Sequence, residues 1–208
     1  MGSPAARWQR RKEARPAEIL GAALAVFAER GYAATRLDDV ARRAGVTKGT
    51  LYLYFPNKAE LFKAVIRGTL VPELKRITAA AAEASPVSID HMIADFERLA
   101  QSPLGAIPKL VVSEAANFPE IARFYRDEVV ARGVDAIRAM LRRGIDAGAF
   151  RAVDPEYAAY CVVAPLLLGV LWNHSLGQVA DDPLDLAALC RTHRDLLLQG
   201  LRPRPVSS

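Results

Sequence analysis

Apolar residues along the chain recur at three- and four-residue intervals, and no segment alternates with the period of two that a half-buried strand requires. The pattern predicts an all-α fold. Leu20, Ala23, Leu24 and Phe27 make a first helical stripe, with Pro16 suited to its first turn and Gly31 at its end. Leu37, Val40, Ala41 and Ala44 stand at i, i+3, i+4 and i+7 and make a second, with Thr35 and Asp38 spaced as a capping pair and Gly45 as the stop. Thr47 is placed to cap a short third helix, with Val46 and Leu51 at the hydrophobic-staple positions around it. Asn57, with Glu60 three residues on, starts a fourth helix with the face Leu61, Phe62, Val65 and Ile66. It runs towards Ala82 through a kink or break at Pro72.

The remaining start signals are clear. Ser85-Pro86 opens a fifth helix to Gln101, with Ile89, Met92, Ile93 and Phe96 facing inward, and Ser102-Pro103 interrupts it. A sixth spans about Leu104 to Ala116, and Asn117-Phe118-Pro119-Glu120 opens a seventh that runs to Gly148. Asp154-Pro155-Glu156 repeats that signal for an eighth helix reaching Ser175. Its centre, Cys161 to Trp172, is apolar on nearly every face, so it must be covered on all sides, which in a chain of this size predicts a subunit interface. Asp182-Pro183 opens the last, with Leu186, Leu189, Leu196 and Leu197 in its pattern and Gly200 at its end. The count is about nine helices.

The second and third helices, joined through Gly45, have the form of a helix-turn-helix. The exposed side of the short helix carries Lys48, Gly49, Thr50, Tyr52 and Tyr54: one cation, hydroxyls, and a glycine that allows close backbone approach. Such a surface suits a helix lying in a DNA major groove. The stretch GVTKGTLYLYFPNKAELF resembles the recognition segment of TetR-type transcriptional regulators, including the TLYxYF core and the lysine that opens the next helix. The preceding AALAVFAERGYAATRLDDVARRAG is similar to the helix and first half of the motif in that family. Leu53 stands where relatives often carry a polar or aromatic residue.

The resemblance implies an N-terminal three-helix DNA-binding head followed by a larger helical effector-binding and dimerisation domain. The expected divisions are a basic arm at 1–15, the helix-turn-helix domain at 16–60, the ligand-binding and dimerisation domain at 61–201, and a tail at 202–208. In this scheme Thr35, Tyr54 and Lys58 anchor phosphates, Lys48, Thr50 and Tyr52 approach bases or backbone, Thr47 caps the reader, and Gly49 lets it sit close. The expected partners are a palindromic double-stranded operator, a second copy of the chain joined through the C-terminal helices, and a small-molecule effector that releases a repressor from DNA. Side chains expected to line the effector cavity are Phe96, Tyr125, Trp172 and His174, with Met92, Phe118, Phe124 and Met140 as further candidates.

Charge placement agrees with a DNA-binding head. Residues 1–60 hold eleven Lys and Arg against six Asp and Glu, whereas the rest holds seventeen of each, so the whole net charge of +5 lies with the head. Arg7, Arg10, Arg11, Lys12 and Arg15 around Trp8 read either as a solvated basic tail or as an arm lying along DNA. No uninterrupted apolar run approaches the roughly 18 residues of a membrane span, and the first twenty residues are basic with no apolar block behind them, so no membrane and no secretory signal are expected. Cys161 and Cys190 lie in apolar helical patterns and read as buried free thiols in a reducing cytoplasm.

Catalysis finds no support in the residues. Asp181-Asp182-Pro183-Leu184-Asp185 resembles the DDxxD run of helical prenyl-transfer enzymes, but Pro183 interrupts it, no second acidic run exists, and acidic residues suit a helix start. His91, His174 and His193 are scattered at spacings that match no metal-ligand signature. No cofactor and no metal are expected. Two alternatives remain beside a sequence-specific regulator: a helical metal-dependent enzyme with a DNA-binding head, and a non-specific DNA binder.

Overall fold

A computed structural model of the chain describes residues 4–80, 85–179 and 181–203, with side chains from Pro16 onward other than those of Ala80, Pro86 and Val87. The side chains of the expected basic arm and the end of the expected tail lie outside the described residues. The α-helices are α1 (Pro4–Ala34), α2 (Leu37–Arg43), α3 (Lys48–Tyr54), α4 (Lys58–Val65), α5 (Val71–Ala80), α6 (Pro86–Gln101), α7 (Ala106–Glu114), α8 (Pro119–Tyr125), α9 (Arg132–Asp146), α10 (Pro155–Asn173), α11 (Leu176–Val179) and α12 (Leu186–Leu201). A π turn, Ile66–Leu70, joins α4 to α5, and another, Arg126–Ala131, joins α8 to α9. With each joined pair taken as one helix, and the single-turn α11 set aside, the described residues hold nine helices and no strand, in agreement with the sequence pattern.

The chain divides into two compact units, one of residues 1–72 and 110–125, the other of 73–109 and 126–208. The unit that contains the helix-turn-helix therefore takes in α4, the first π turn, the end of α7 and all of α8, well beyond residues 16–60.

In the first unit, Ile19, Ala23, Val26 and Phe27 are the buried face of α1, rotated slightly from the expected stripe so that Leu20 and Leu24 sit at its edge. Pro16 lies inside α1 and not in its first turn, because the backbone is already helical from Pro4. Phe27, Tyr32 and Phe62 form an aromatic cluster, with Phe62 edge-on to both at 5.2 and 5.4 Å between ring centres. Phe118 meets Tyr32 edge-on at 4.8 Å and carries the 110–125 segment into the same core. The π turn before α5 has a local cause: Pro72 has no N–H for the carbonyl of Gly68, and its ring would crowd that carbonyl in a regular helix. The irregularity expected at Pro72 thus appears in the turn just ahead of it. A Cβ on Gly68 would lie 2.7 Å from Leu20 Cδ1, so α1 and the turn approach closely.

In the second unit, α6, α9, α10 and α12 enclose a core of Ile89, Met92, Ile137, Met140, Leu141, Val162, Leu166 and Cys190, among others. Asp154 caps α10 by accepting from the N–H of Glu156 at 2.9 Å, as the sequence predicts. The last helix begins later than expected: Asp185, accepting from Ala188 N–H at 3.0 Å, is its cap, and Pro183 lies in the preceding turn. Cys190 is buried, and burial followed by the charge of Glu97 pushes its thiol up to about 11. Cys161, expected to be buried, is exposed, because α10 turns Ala159, Val162, Leu166 and Val170 inward and leaves Tyr157, Tyr160, Cys161, Ala164 and Leu168 on the opposite side.

By length and composition alone, Pro155–Val179 is apolar enough to cross a membrane, a test that a core helix also passes, and one face of it packs into this core.

Phe150 folds back over Gly144, its N–H donating to the Gly144 carbonyl at 3.0 Å, and a Cβ at Gly144 would fall 2.1 Å from the ring. Gly144→Ala is expected to displace Phe150 and lower unfolding free energy by about 1–3 kcal/mol in urea titrations; an unchanged midpoint would show that the ring moves aside without loss.

Candidate nucleic-acid interface

The geometry of α3 begins with the turn before it. Gly45 takes φ +63°, a left-handed conformation that costs glycine nothing. Its N–H donates to Arg42 O at 3.2 Å and that of Val46 to Ala41 O at 3.0 Å, the paired bonds of a Schellman stop. Thr47 then caps α3, its hydroxyl oxygen accepting from Thr50 N–H at 3.2 Å and lying 2.9 Å from the Thr50 hydroxyl. One side chain, Leu51, is fully buried and fixes the helix rotation. Lys48, Gly49, Tyr52 and Leu53 are exposed, and Thr50 and Tyr54 half-buried at the flanks.

Ion pairs stiffen the support behind this face. Arg30 and Arg42 pair with Asp39 at 2.6 and 3.2 Å, and Arg43 pairs with Glu29, tying α2 to α1. Lys48 Nζ lies 3.0 Å from Asp38 and over the Tyr52 ring at 5.8 Å. The ion pair turns the Lys48 side chain across the α2–α3 junction, and the carboxylate of Asp38 holds its ammonium above the usual pKa. Arg36, exposed at the N-cap of α2, is a basic group on this side that the sequence pattern did not single out; its charge opposes that of Lys48.

Two of the expected phosphate anchors are placed otherwise. Thr35 is 3% exposed, and its hydroxyl donates back to the Gly31 carbonyl at 2.6 Å. It neither faces solvent nor caps α2, whose N-cap is Arg36 without a side-chain bond; Asp38 and Asp39 in the first turn serve the helix dipole instead. Gly31, at φ +78°, breaks α1 here and turns its carbonyl within reach. Lys58 donates to the carbonyls of Tyr32 and Ala33, both at 2.8 Å, with its ammonium 4.7 Å from the Tyr32 ring centre and 5.8 Å from that of Phe118. Glu114 accepts from Ala33 N–H at 3.1 Å in the same turn. Desolvation lowers the Lys58 pKa, with Glu114 acting against it, and burial followed by Glu120 and Glu114 pushes Tyr32 up to about 12. Lys58 therefore closes the carbonyl end of α1 and joins it to α4 and the Glu114–Phe118 segment. No sequence spacing reveals that role, because its partners lie more than twenty residues away on either side.

The expected effector-lining residues are divided between the units. Tyr125, its phenol pKa raised by burial, belongs to the first; Phe96, Trp172 and His174 belong to the second. Phe96 packs against the core cluster, and Met92 and Met140 are core outright. Phe124 lies under Arg67, and Phe118 belongs to the aromatic cluster. The Trp172 indole donates to Asp182 O at 2.8 Å, and His174 ends α10, its imidazole held below its usual pKa by burial and then by Lys109. Two open grooves, of about 520 Å³ beside His91 and Arg98 and about 490 Å³ beside Tyr54 and Arg67, are lined by none of these four.

Residues 19–65 match the family described as bacterial regulatory proteins, tetR family, and residues 88–197 match the tetracyclin repressor-like C-terminal domain. The chain is 33% identical over 193 residues to the uncharacterized HTH-type transcriptional regulator YhgD of Bacillus subtilis (strain 168), covering 88% of this chain and 94% of that one. It is 25% identical over 195 residues to the HTH-type transcriptional repressor KstR2 of Rhodococcus jostii (strain RHA1), covering 91% and 92%. Among solved structures, the fatty acid degradation regulator FadR from Bacillus halodurans aligns with a TM-score of 0.75 at 25% identity, over 91% of this chain and 97% of that one.

Replacing Lys58 by Met is expected to cost about 1–3 kcal/mol of unfolding free energy, as two hydrogen bonds from a charged donor are lost. It should weaken DNA binding while leaving the dependence of log K on log salt unchanged. A slope reduced by about one unit per subunit would instead place the ammonium on a phosphate.

Proposed function

Because the chain belongs to the tetR family of bacterial regulatory proteins, we propose that this DNA-binding transcriptional regulator is a repressor that holds a near-palindromic operator as a homodimer and leaves it when a small-molecule effector binds. The observation that carries the reading is α3 itself: a capped seven-residue helix with a single buried side chain, which turns Lys48, Gly49, Tyr52 and Leu53 towards solvent, with Thr50 half-buried at their flank. Such a helix is held by one side chain and gives the rest of its surface to solvent, as a helix that meets a partner outside would. Thr47 sets its start, Tyr54 flanks it, and the excess charge of residues 1–60 draws it to phosphate.

The dimer is proposed through the C-terminal helices. Tyr157, Tyr160, Cys161, Ala164 and Leu168 form an exposed, uncharged stripe along α10 with spacings of three and four, and Leu196 is exposed on the adjoining α12. A second copy covers such a stripe by two-fold symmetry, which in turn requires two related half-sites in the DNA. The effector site is proposed in the body, with Phe96, Trp172 and His174 as its contacts and an apolar or weakly polar ligand, in keeping with the zero charge balance of residues 61–208. The name of the Rhodococcus relative, a transcriptional repressor, supports the sign of regulation. An enzymatic role for the acidic run is not favoured: Asp185 caps α12, and the Asp182 carbonyl holds Trp172. The proposed compartment is the cytoplasm, where the DNA is.

Selection of bound duplexes from a random pool at fixed salt should yield a motif of two inverted half-sites centred about 34–36 Å apart or slightly more. Leu168→Glu combined with Leu196→Glu should sediment as a monomer and bind the selected duplex at least tenfold more weakly. An enriched motif without symmetry, or a wild-type chain that is monomeric on DNA, would contradict the dimeric reading.

A further inference from the structure

Leu53 is 81% exposed at the middle of the face that α3 turns outward. At about 100° per residue, Gly49 and Leu53 lie about 160° and 200° round the helix from Leu51, so the two stand opposite the buried anchor. The polar side chains fall to either side, Lys48 and Tyr52 on one flank and Thr50 and Tyr54 on the other. Of the other leucines in this unit, those at 37, 51, 61, 70 and 110 are 9% exposed or less and Leu20 and Leu24 are half-buried, so Leu53 is the leucine of the unit that stands fully out in solvent. Beside Leu53, a Cβ on Gly49 would meet nothing nearer than its own cap hydroxyl, on Thr47, at 4.0 Å. The centre of the face is thus a projecting isobutyl group next to bare backbone.

A major groove offers such a group one match. Guanine, adenine and cytosine present hydrogen-bond donors and acceptors there, which an aliphatic side chain would desolvate without replacing, whereas thymine adds a C5-methyl group. We propose that Leu53 reads the C5-methyl of one thymine in each half-site, with Gly49 allowing the approach, so that it sets specificity while the polar flanks fix position. The proposal rests on α3 being the DNA reader, and it adds the base feature recognised at its centre.

The test uses the duplex that the full-length protein selects from a random pool, with each thymine replaced in turn by deoxyuridine, which lacks only the methyl group. Wild type and Leu53→Ala are compared by equilibrium titration at one salt concentration. Leu53 is exposed, so its truncation leaves the packing of the head intact, and matching circular dichroism spectra check this. At one thymine per half-site, uridine should weaken wild-type binding about fourfold, the factor for one methyl group withdrawn from apolar contact, and should leave Leu53→Ala unaffected. Tolerance of uridine at every position by the wild type, or equal weakening of both proteins, would overturn the Leu53 assignment while leaving α3 as the reader. A protein that enriches no motif would overturn the DNA reading itself, and the thymine contact with it.

Discussion

A seven-residue helix does not hold its shape alone in water, and α3 persists because Leu51 is locked into the head while Thr47 closes its first turn. Burial of that side chain is worth about 1.5–3 kcal/mol, and its larger effect is directional. With one residue fixed, the angular position of every other side chain on α3 follows. Lys48, Tyr52 and Leu53 are outside because Leu51 is inside. The rest of the unit serves this placement: Gly45 ends α2 with a left-handed turn that leads to the Thr47 cap, and the Phe27–Tyr32–Phe62 cluster holds α1 and α4 behind it.

The second organising contact is the turn between α1 and α2. Lys58 bonds the Tyr32 and Ala33 carbonyls, Glu114 accepts from the Ala33 amide, and Thr35 fills the Gly31 carbonyl. Three stretches of chain far apart in sequence thus meet at this turn. A change at Glu114 or Phe118 therefore acts on the entry to α2, and so on the angle at which α3 is offered. The residues 110–125 that supply this contact also lead by covalent connection into the second unit on both sides, through α7 and through the π turn after α8.

What the sequence made legible follows the range of the forces. The Gly45 stop, the Thr47, Asn57 and Asp154 caps, and the number of helices are decided by neighbours within four residues, and the structure agrees with the pattern there. The bonds of Thr35 and Lys58 are not legible in the sequence because their partners are set by the fold: a threonine before a helix looks like a cap until a carbonyl from Gly31 competes for it. Cys161 was misplaced for a related reason. An all-apolar helix such as α10 has no polar face to mark its solvent side, so composition does not show which of its residues are exposed. An exposed leucine such as Leu53 is ordinary by itself; only the rotation fixed by Leu51 shows that it stands at the centre of the outward face of α3.

The account turns on α3 being the surface that meets DNA. Hydrogen–deuterium exchange of the full-length protein, with and without a duplex selected from a random pool, measures this directly. Slowed exchange should concentrate between the α1–α2 turn and the end of α3, with amides of the second unit changed less. Protection confined to residues outside 31–58 would contradict it, and the face built around Leu51 would then need another partner.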